Sequence, residues 1–167
     1  MVGLISILHI VMRITLLSVG QRMPGWVEQG YQEYAKRLPR EYSLHLLELP
    51  AAKRSKNTVV EAAIEDEGNR ILAAIPKSNY VVVLDERGKT WTTVQLAEQM
   101  KQWSFEGFDV TLVVGGADGL AQQVKAKADW LWSLSALTLP HPLVRVLLAE
   151  QIYRAWSVMS NHPYHRV

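Results

Sequence analysis

Glycines, small hydroxyl residues and a cluster of cations with aromatic rings mark the places where this chain could do chemistry. Gly115-Gly116-Ala117-Asp118-Gly119 comes directly off the apolar run DVTLVV at 109–114. Glycine has no Cβ and tolerates positive φ, so such a loop lets backbone approach a ligand closely, although a tight turn is the equally natural reading. The spacing is not G-x-G-x-x-G and no Walker lysine follows, which gives little support to a dinucleotide or triphosphate site. A second stretch, 130–139, is apolar but broken by Ser133, Ser135 and Thr138, and it turns at Pro140-His141-Pro142 into a helix. Hydroxyls and free backbone groups just before a helix make a ligand cradle; the plainer reading is a core strand running into a core helix. The third group is the tail, where Arg154, His162, Tyr164, His165 and Arg166 combine cations with hydrogen-bonding rings. That mixture suits phosphate contacts and stacking on an unpaired base, against the ordinary alternative of a frayed terminus. A short basic loop, Lys53-Arg54-Ser55-Lys56, reads either as a solvated connection or as a phosphate contact.

Other chemistries find no residues. The 167-residue chain has no cysteine, which removes disulfides, thiolate metal sites and cysteine nucleophiles and fits a reducing cytoplasm. His141, His162 and His165 lack the carboxylate or cysteine company of a metal site, so no metal is expected. No G-x-S-x-G elbow occurs, so a serine triad is not expected. The net charge of +2 with a pI near 8.9 is compatible with nucleic acid without requiring it.

The length suits one domain, and the elements that must position these residues alternate. Strands are expected at 13–19, 43–49, 80–84 and 109–114, with 130–139 as a buried strand or loop; 85–89 is expected as a turn. Helices are expected at 26–37, from 59 to about 74 with a Thr58–Glu61 capping box, from Thr92 or Thr93 to roughly Trp103, and at 121–128. A last helix follows Pro142, with His141 extended ahead of it. The unbroken apolar runs YVVVL and DVTLVV read as strands covered on both faces. The order predicts an α/β domain with a mainly parallel sheet and helices on both faces. Ligands in such sheets bind beyond the carboxyl ends of the strands, here Leu84–Asp85, Gly115–Gly116 and the 134–139 run. The last helix carries Val144, Leu148, Ile152, Ala155 and Met159 on one face, widened by Leu143, Val146 and Leu147. A face that wide calls for more than one neighbour, such as a sheet and a second subunit. Residues 1–11 are apolar, too short to span a bilayer and without the start or cleavage site of a signal peptide. They read as an upstream extension ahead of a single domain at 12–167, with Met12 as the natural start; mass spectrometry of the N-terminus decides.

Gly115-Gly116 after a strand, SLSALTLPHPLVRVLLAEQIYRAW and the closing NHPYHR resemble the bacterial RlmH-type methyltransferases of the SPOUT superfamily, as do GQRMPGWVEQGYQEYAKRLP and PAAKRSKN. The resemblance runs from about Met12 to the end. It implies a homodimer that uses S-adenosyl-L-methionine to methylate N3 of a pseudouridine in large-subunit rRNA. The net charge is low for an RNA enzyme, which predicts recognition of a preformed surface, the rRNA of assembled ribosomes, over free RNA. The resemblance also implies a C-terminal deep trefoil knot, with the last helix at the dimer interface. By position, it puts cofactor contacts on Leu84, Asp85, Gly115, Gly116, Leu134, Ser135, Ala136, Leu137, Thr138 and Leu139. It puts the RNA and target contacts, with the catalytic roles, on Arg154, Tyr164, His165 and Arg166, from the partner subunit's tail. His165 would accept the N3 proton, directly or through water, because an unperturbed imidazole titrates near neutrality. Arg154 or Arg166 would stabilise charge on the flanking carbonyl oxygens, and Tyr164 would stack on or bond the base. Two other readings stay open on sequence: a flavodoxin-like nucleotide-binding domain, and a ribosome-binding factor that keeps the fold without catalysis.

Overall fold

A computed structural model describes residues 11–166. The chain runs β1 (Met12–Val19), α1 (Gly25–Ala35), β2 (Tyr42–Leu49), α2 (Val60–Ala74), β3 (Tyr80–Lys89), α3 (Thr93–Glu106), β4 (Val110–Val114), α4 (Gln122–Lys127), β5 (Trp130–Trp132) and α5 (His141–Met159). The five strands form one sheet in the order β2-β1-β4-β3-β5, and every neighbouring pair is parallel. Alternation along the central strands sends side chains to two cores. Ile14, Leu16, Val82 and Leu112 pack with α1, α3 and α5; Leu17, Val19, Val81, Val83 and Val113 pack with α2 and α4. The sheet is therefore covered on both faces, as the apolar runs of β3 and β4 required. Residues 1–10, most of the expected upstream extension, lie outside the described residues. Among those described, no helix is long and apolar enough to cross a membrane.

Several local readings need correction. Residues 85–89 do not form a free turn: β3 continues through Lys89, and its register against β5 breaks between Leu84 and Lys89. Only Trp130–Trp132 of the 130–139 run is strand. The Thr58–Glu61 capping box does not form. Thr58 Oγ1 instead accepts from Ser55 N at 2.7 Å, closing a turn within the basic loop, and Val59 occupies the N-cap. Thr92 does cap α3, with Gln95 returning the bond, and the helix runs past Trp103 to Glu106 before Gly107 ends it at φ 76°. His141 is not extended. It is the first residue of α5, and Pro140 is the extended N-cap whose carbonyl accepts from Leu143 and Val144.

The width of the α5 face also has a different cause. Val144, Leu148, Ala149, Ile152 and Ala155 are buried on the sheet, while α1 and α3 flank the helix on its two sides. Val146 packs onto Gly30 of α1, and Thr93 of α3 donates to Gln151 at 2.8 Å. The chain itself supplies the several neighbours, so the breadth of this face carries no argument for a second subunit.

Candidate active site

A cleft of about 470 Å³ opens at the carboxyl ends of β3 and β4, the place parallel sheets reserve for ligands. Three bends meet there: Leu84, Asp85, Glu86 and Arg87 from β3, residues 114–120 after β4, and residues 132–139 after β5, with His141 and Val144 at the start of α5. Of the expected cofactor contacts, Leu84, Asp85, Gly115, Gly116, Leu134, Ser135, Leu137, Thr138 and Leu139 all line it, while Ala136 does not.

The walls are fixed by charge pairs. Lys125 Nζ stands 2.7 Å from Asp85 Oδ2, and the Asp85 side chain is only 7% exposed. Burial works against the Asp85 carboxylate, but Lys125 and the Arg87 N–H outweigh it and hold the group below its ordinary range. Arg54 of the basic loop joins Asp118 Oδ2 and Glu67 Oε1, both at 2.7 Å. Glu67 is buried and also accepts from Ala52 N at 2.9 Å. The loop at 51–56 is thus tied to the glycine loop.

The serines are not free to cradle a ligand. Ser133 Oγ donates to Ser135 O at 3.1 Å, and Ser135 Oγ accepts from Leu137 N at 2.9 Å, so these hydroxyls shape the bend. What the bend leaves open is backbone. The N–H groups of Leu134, Ala136, Thr138 and Leu139 take no partner among the described residues. Those on the cleft-lining residues Leu134, Thr138 and Leu139, set among aliphatic side chains, fit the acceptors of a nucleoside, so the residues present suit S-adenosyl-L-methionine. Among the described residues no group of three or more His, Cys, Asp or Glu could hold a metal ion.

The tail is ordered and lies elsewhere. Tyr164 packs its ring on Tyr153 at 4.6 Å between centroids, and the Arg154 guanidinium sits 4.7 Å over the Tyr164 ring. Glu150 Oε1 accepts from Arg154 Nε at 2.7 Å and from Tyr164 OH at 3.1 Å. Burial and the bond to Glu150 push the Tyr164 phenol up to about 12. His165 Nδ1 is enclosed without a partner, and Arg166 is exposed. Arg154, Tyr164, His165 and Arg166 are thereby brought to one end of α5, but none of them lines the cleft. Tyr153, on which Tyr164 rests, stands more than three turns past His141, roughly 18 Å along the axis.

Sequence reasoning missed four features: His141 as a cleft residue, Lys125 behind Asp85, the Arg54–Glu67–Asp118 link, and Arg145. Arg145 was readable as a charge set between Val144 and Val146 on an apolar helix; the others depend on contacts between distant segments.

The chain is similar to known proteins over nearly its whole length. It is 56% identical over 155 residues to the ribosomal RNA large subunit methyltransferase H of Marinomonas sp. (strain MWYL1), covering 93% of this chain and all of that protein. Two solved structures share the fold at low identity. The tRNA (m1G37) methyltransferase of Aquifex aeolicus superposes with a TM-score of 0.58 at 13% identity, over 94% of this chain and 75% of that one. A probable methylase family protein from Haemophilus influenzae Rd KW20 does so at 0.52 and 14%, over 93% and 70%. Residues 12–165 match the family described as "Predicted SPOUT methyltransferase". With a parallel sheet whose cleft gathers the glycine loop and the 134–139 bend, the chain belongs to the SPOUT methyltransferase family.

Proposed function

We propose that this enzyme methylates N3 of a pseudouridine in large-subunit rRNA, with S-adenosyl-L-methionine as donor. One observation carries the reading: nine of the ten expected cofactor contacts line one cleft at the strand ends, with unpaired backbone amides along one wall. The rRNA substrate is taken from the relative named a ribosomal RNA large subunit methyltransferase. When bound, the cofactor supplies an electrophilic methyl group on a sulfonium. The chain's own work is then alignment and proton removal.

In this reading the free amides of the 134–139 bend and the glycine loop would hold the nucleoside. Arg154 and Arg166 stabilise negative charge growing on the base carbonyls as the N3 proton leaves. His165 accepts that proton, directly or through water, and Tyr164 orients the base. Because these groups sit far along α5 from the cleft of their own chain, a homodimer is proposed in which each tail serves its neighbour's cleft. The low net charge favours a preformed surface, the assembled ribosome of the cytoplasm, over naked RNA.

The bends also bear on the knot. Ser133 N donates to Lys89 O at 3.0 Å, and residues 133–140 then lead to α5, whose Arg145 bonds Gly20 at the far side of β4. That path, close under the β3–α3 connection, supports a trefoil threading of the C-terminal segment. The test of function is tritiated-methyl transfer to ribosomes from a strain lacking this protein, with the modified base mapped. Label at N3 of one large-subunit pseudouridine is expected; no transfer, or label on another RNA, overturns the proposal. Equal transfer to naked rRNA removes the ribosome from it.

A further inference from the structure

His141 is a titratable side chain of the cleft that has no part in the roles above. His141 opens α5 and lines the wall directly after the 134–139 bend. Its Nδ1 is enclosed and has no partner, which leaves Nε2 as the ring nitrogen available to a ligand. A buried N–H without an acceptor is costlier than a buried lone pair, which places the single proton of the neutral ring on Nε2. Behind the ring stands a fixed cation. Arg145, one turn on, is locked by Glu48 and the Gly20 carbonyl, and that glycine closes the ring's back. Of the other charged groups lining the cleft, Asp85 is paired with Lys125 and Asp118 with Arg54 of the basic loop, while Glu86 and Arg87 from β3 are exposed and make no ion pair among the described residues.

We propose that His141 is a cofactor-binding residue that donates Nε2–H to an acceptor on the nucleoside and holds the cationic sulfonium more tightly as the neutral imidazole than as the imidazolium. Charging the ring adds a second cation beside Arg145 in a cleft that must take a cationic ligand, so acid weakens cofactor binding. Burial and the nearby Arg145 already lower this histidine's affinity for a proton, in the direction the role requires. The inference rests on the S-adenosyl-L-methionine reading and adds to it a specific residue and a proton-linked affinity.

Calorimetry on the full chain, from about pH 5.5 to about pH 8.5, tests it with the sulfonium cofactor and with the uncharged thioether product, S-adenosylhomocysteine. NMR of the ligand-free protein follows the His141 ring over the same range. Below the pH at which the free ring charges, wild-type Kd for the sulfonium is expected to rise by up to about tenfold per pH unit, and less for the thioether. His141→Gln keeps a donor near Nε2 and should bind with a flat pH profile. His141→Ala should bind roughly tenfold more weakly at the alkaline end. Thermal unfolding of each variant establishes that it is folded. A pH-independent wild-type Kd, equal slopes for the two ligands, or an unweakened His141→Ala overturns the proposal. No binding of the sulfonium at the alkaline end overturns the cofactor reading as well, so the two failures are distinguishable.

Discussion

Arg145 Nη1 lies 2.6 Å from Glu48 Oε2, joining the first turn of α5 to the end of β2 across 97 residues of sequence. The two partners are unequally exposed: the Arg145 side chain is 1% accessible and that of Glu48 is 32%. Arg145 also donates from Nη2 to Gly20 O at 2.7 Å, so the guanidinium pins the helix start to the ends of both β1 and β2. Breaking the pair from its two sides should therefore differ. Glu48→Ala strands a buried cation and should destabilise by about 3–5 kcal/mol. Arg145→Met keeps the volume and leaves a carboxylate that water can reach, and should cost less. Chemical denaturation of both variants checks the order, and a larger loss for Arg145→Met would contradict it.

Gly88 sits where the end of β3 pairs alongside β5, next to Leu131 and Trp132. A Cβ there would lie 2.6 Å from Leu131 O and 2.7 Å from Trp132 N, both backbone atoms that cannot move without shifting β5. Gly88→Ala should cost at least about 1–3 kcal/mol and disturb the cleft wall at Trp132 and Ser133. Gly25→Ala meets nothing within 4 Å and is the control, expected near neutral. Unfolding midpoints measure both; a harmless Gly88→Ala would mean that β5 is not held against this strand.

How much of this could be read from residues alone follows from the range of the interactions. The parallel sheet and its two-sided cover were legible because β3 and β4 are unbroken apolar runs, a local pattern with one good solution. The gathering of Leu84, Gly115 and Leu139 was legible through the strand-end rule together with the family motif. Local pattern failed where a distant partner won. Thr58 had the spacing of a cap but bonds Ser55, because the 51–56 loop is drawn onto Glu67 and Asp118. Residues 85–89 had turn composition but are recruited into β3 by pairing with Trp132, and His141 enters the helix although proline follows it. The broad apolar face of α5 implied more than one neighbour; α1 and α3 supply part of that cover, because periodicity records that a surface is covered without recording by what.

Two histidines should contribute to the acid limb of stability, His141 more than the exposed His45. Partial desolvation, aided by Arg13, lowers the proton affinity of His45, and burial with Arg145 does the same for His141. In both cases the unfolded chain binds protons more readily than the folded one, from about pH 6.5 downward. Stability should thus be fully present above that value and decline as pH falls through the folded-state titrations. Melting temperature against pH, compared with a His45→Gln, His141→Gln double variant, reads this directly. The variant should lose much of the slope between about pH 5 and pH 6.5, and an unchanged slope would assign it to carboxylates.

The Arg54 link predicts a graded effect on the glycine loop. Its bond to Asp118 is half in solvent, with side-chain exposures of 32% and 35%, so Asp118→Asn should cost no more than about 1 kcal/mol. Glu67 is 3% exposed and holds both Arg54 and the Ala52 amide. Glu67→Ala removes two bonds at once, along with the carboxylate that stands beside Gly116, and should cost about 2–4 kcal/mol while loosening the 51–56 loop and the glycine loop together. Cofactor titration and thermal melts of the pair should rank Glu67→Ala well below Asp118→Asn; equal losses would reduce the link to a surface contact.

The separation between the cleft and the tail makes the proposed shared site testable. Glu150 holds Arg154 by two nitrogens and Tyr164 by its hydroxyl, so these three act as one unit at the far end of α5. Arg154→Ala and Tyr164→Phe should leave cofactor affinity within about twofold of wild type, since neither residue lines the cleft, yet lower single-turnover methyl transfer at least about tenfold. His165→Ala should do the same; an unchanged rate would reject it as the base. If each tail serves the partner's cleft, mixing Arg154→Ala chains with cleft-defective Gly115→Leu chains, in which Leu120 would be displaced, should rebuild one intact site in each mixed dimer. Random pairing of equal amounts makes half the dimers mixed, so about a quarter of wild-type activity should return where each variant alone has next to none. Failure to recover activity, in a mixture shown by mass to contain mixed dimers, would place tail and cleft of one chain in the same site.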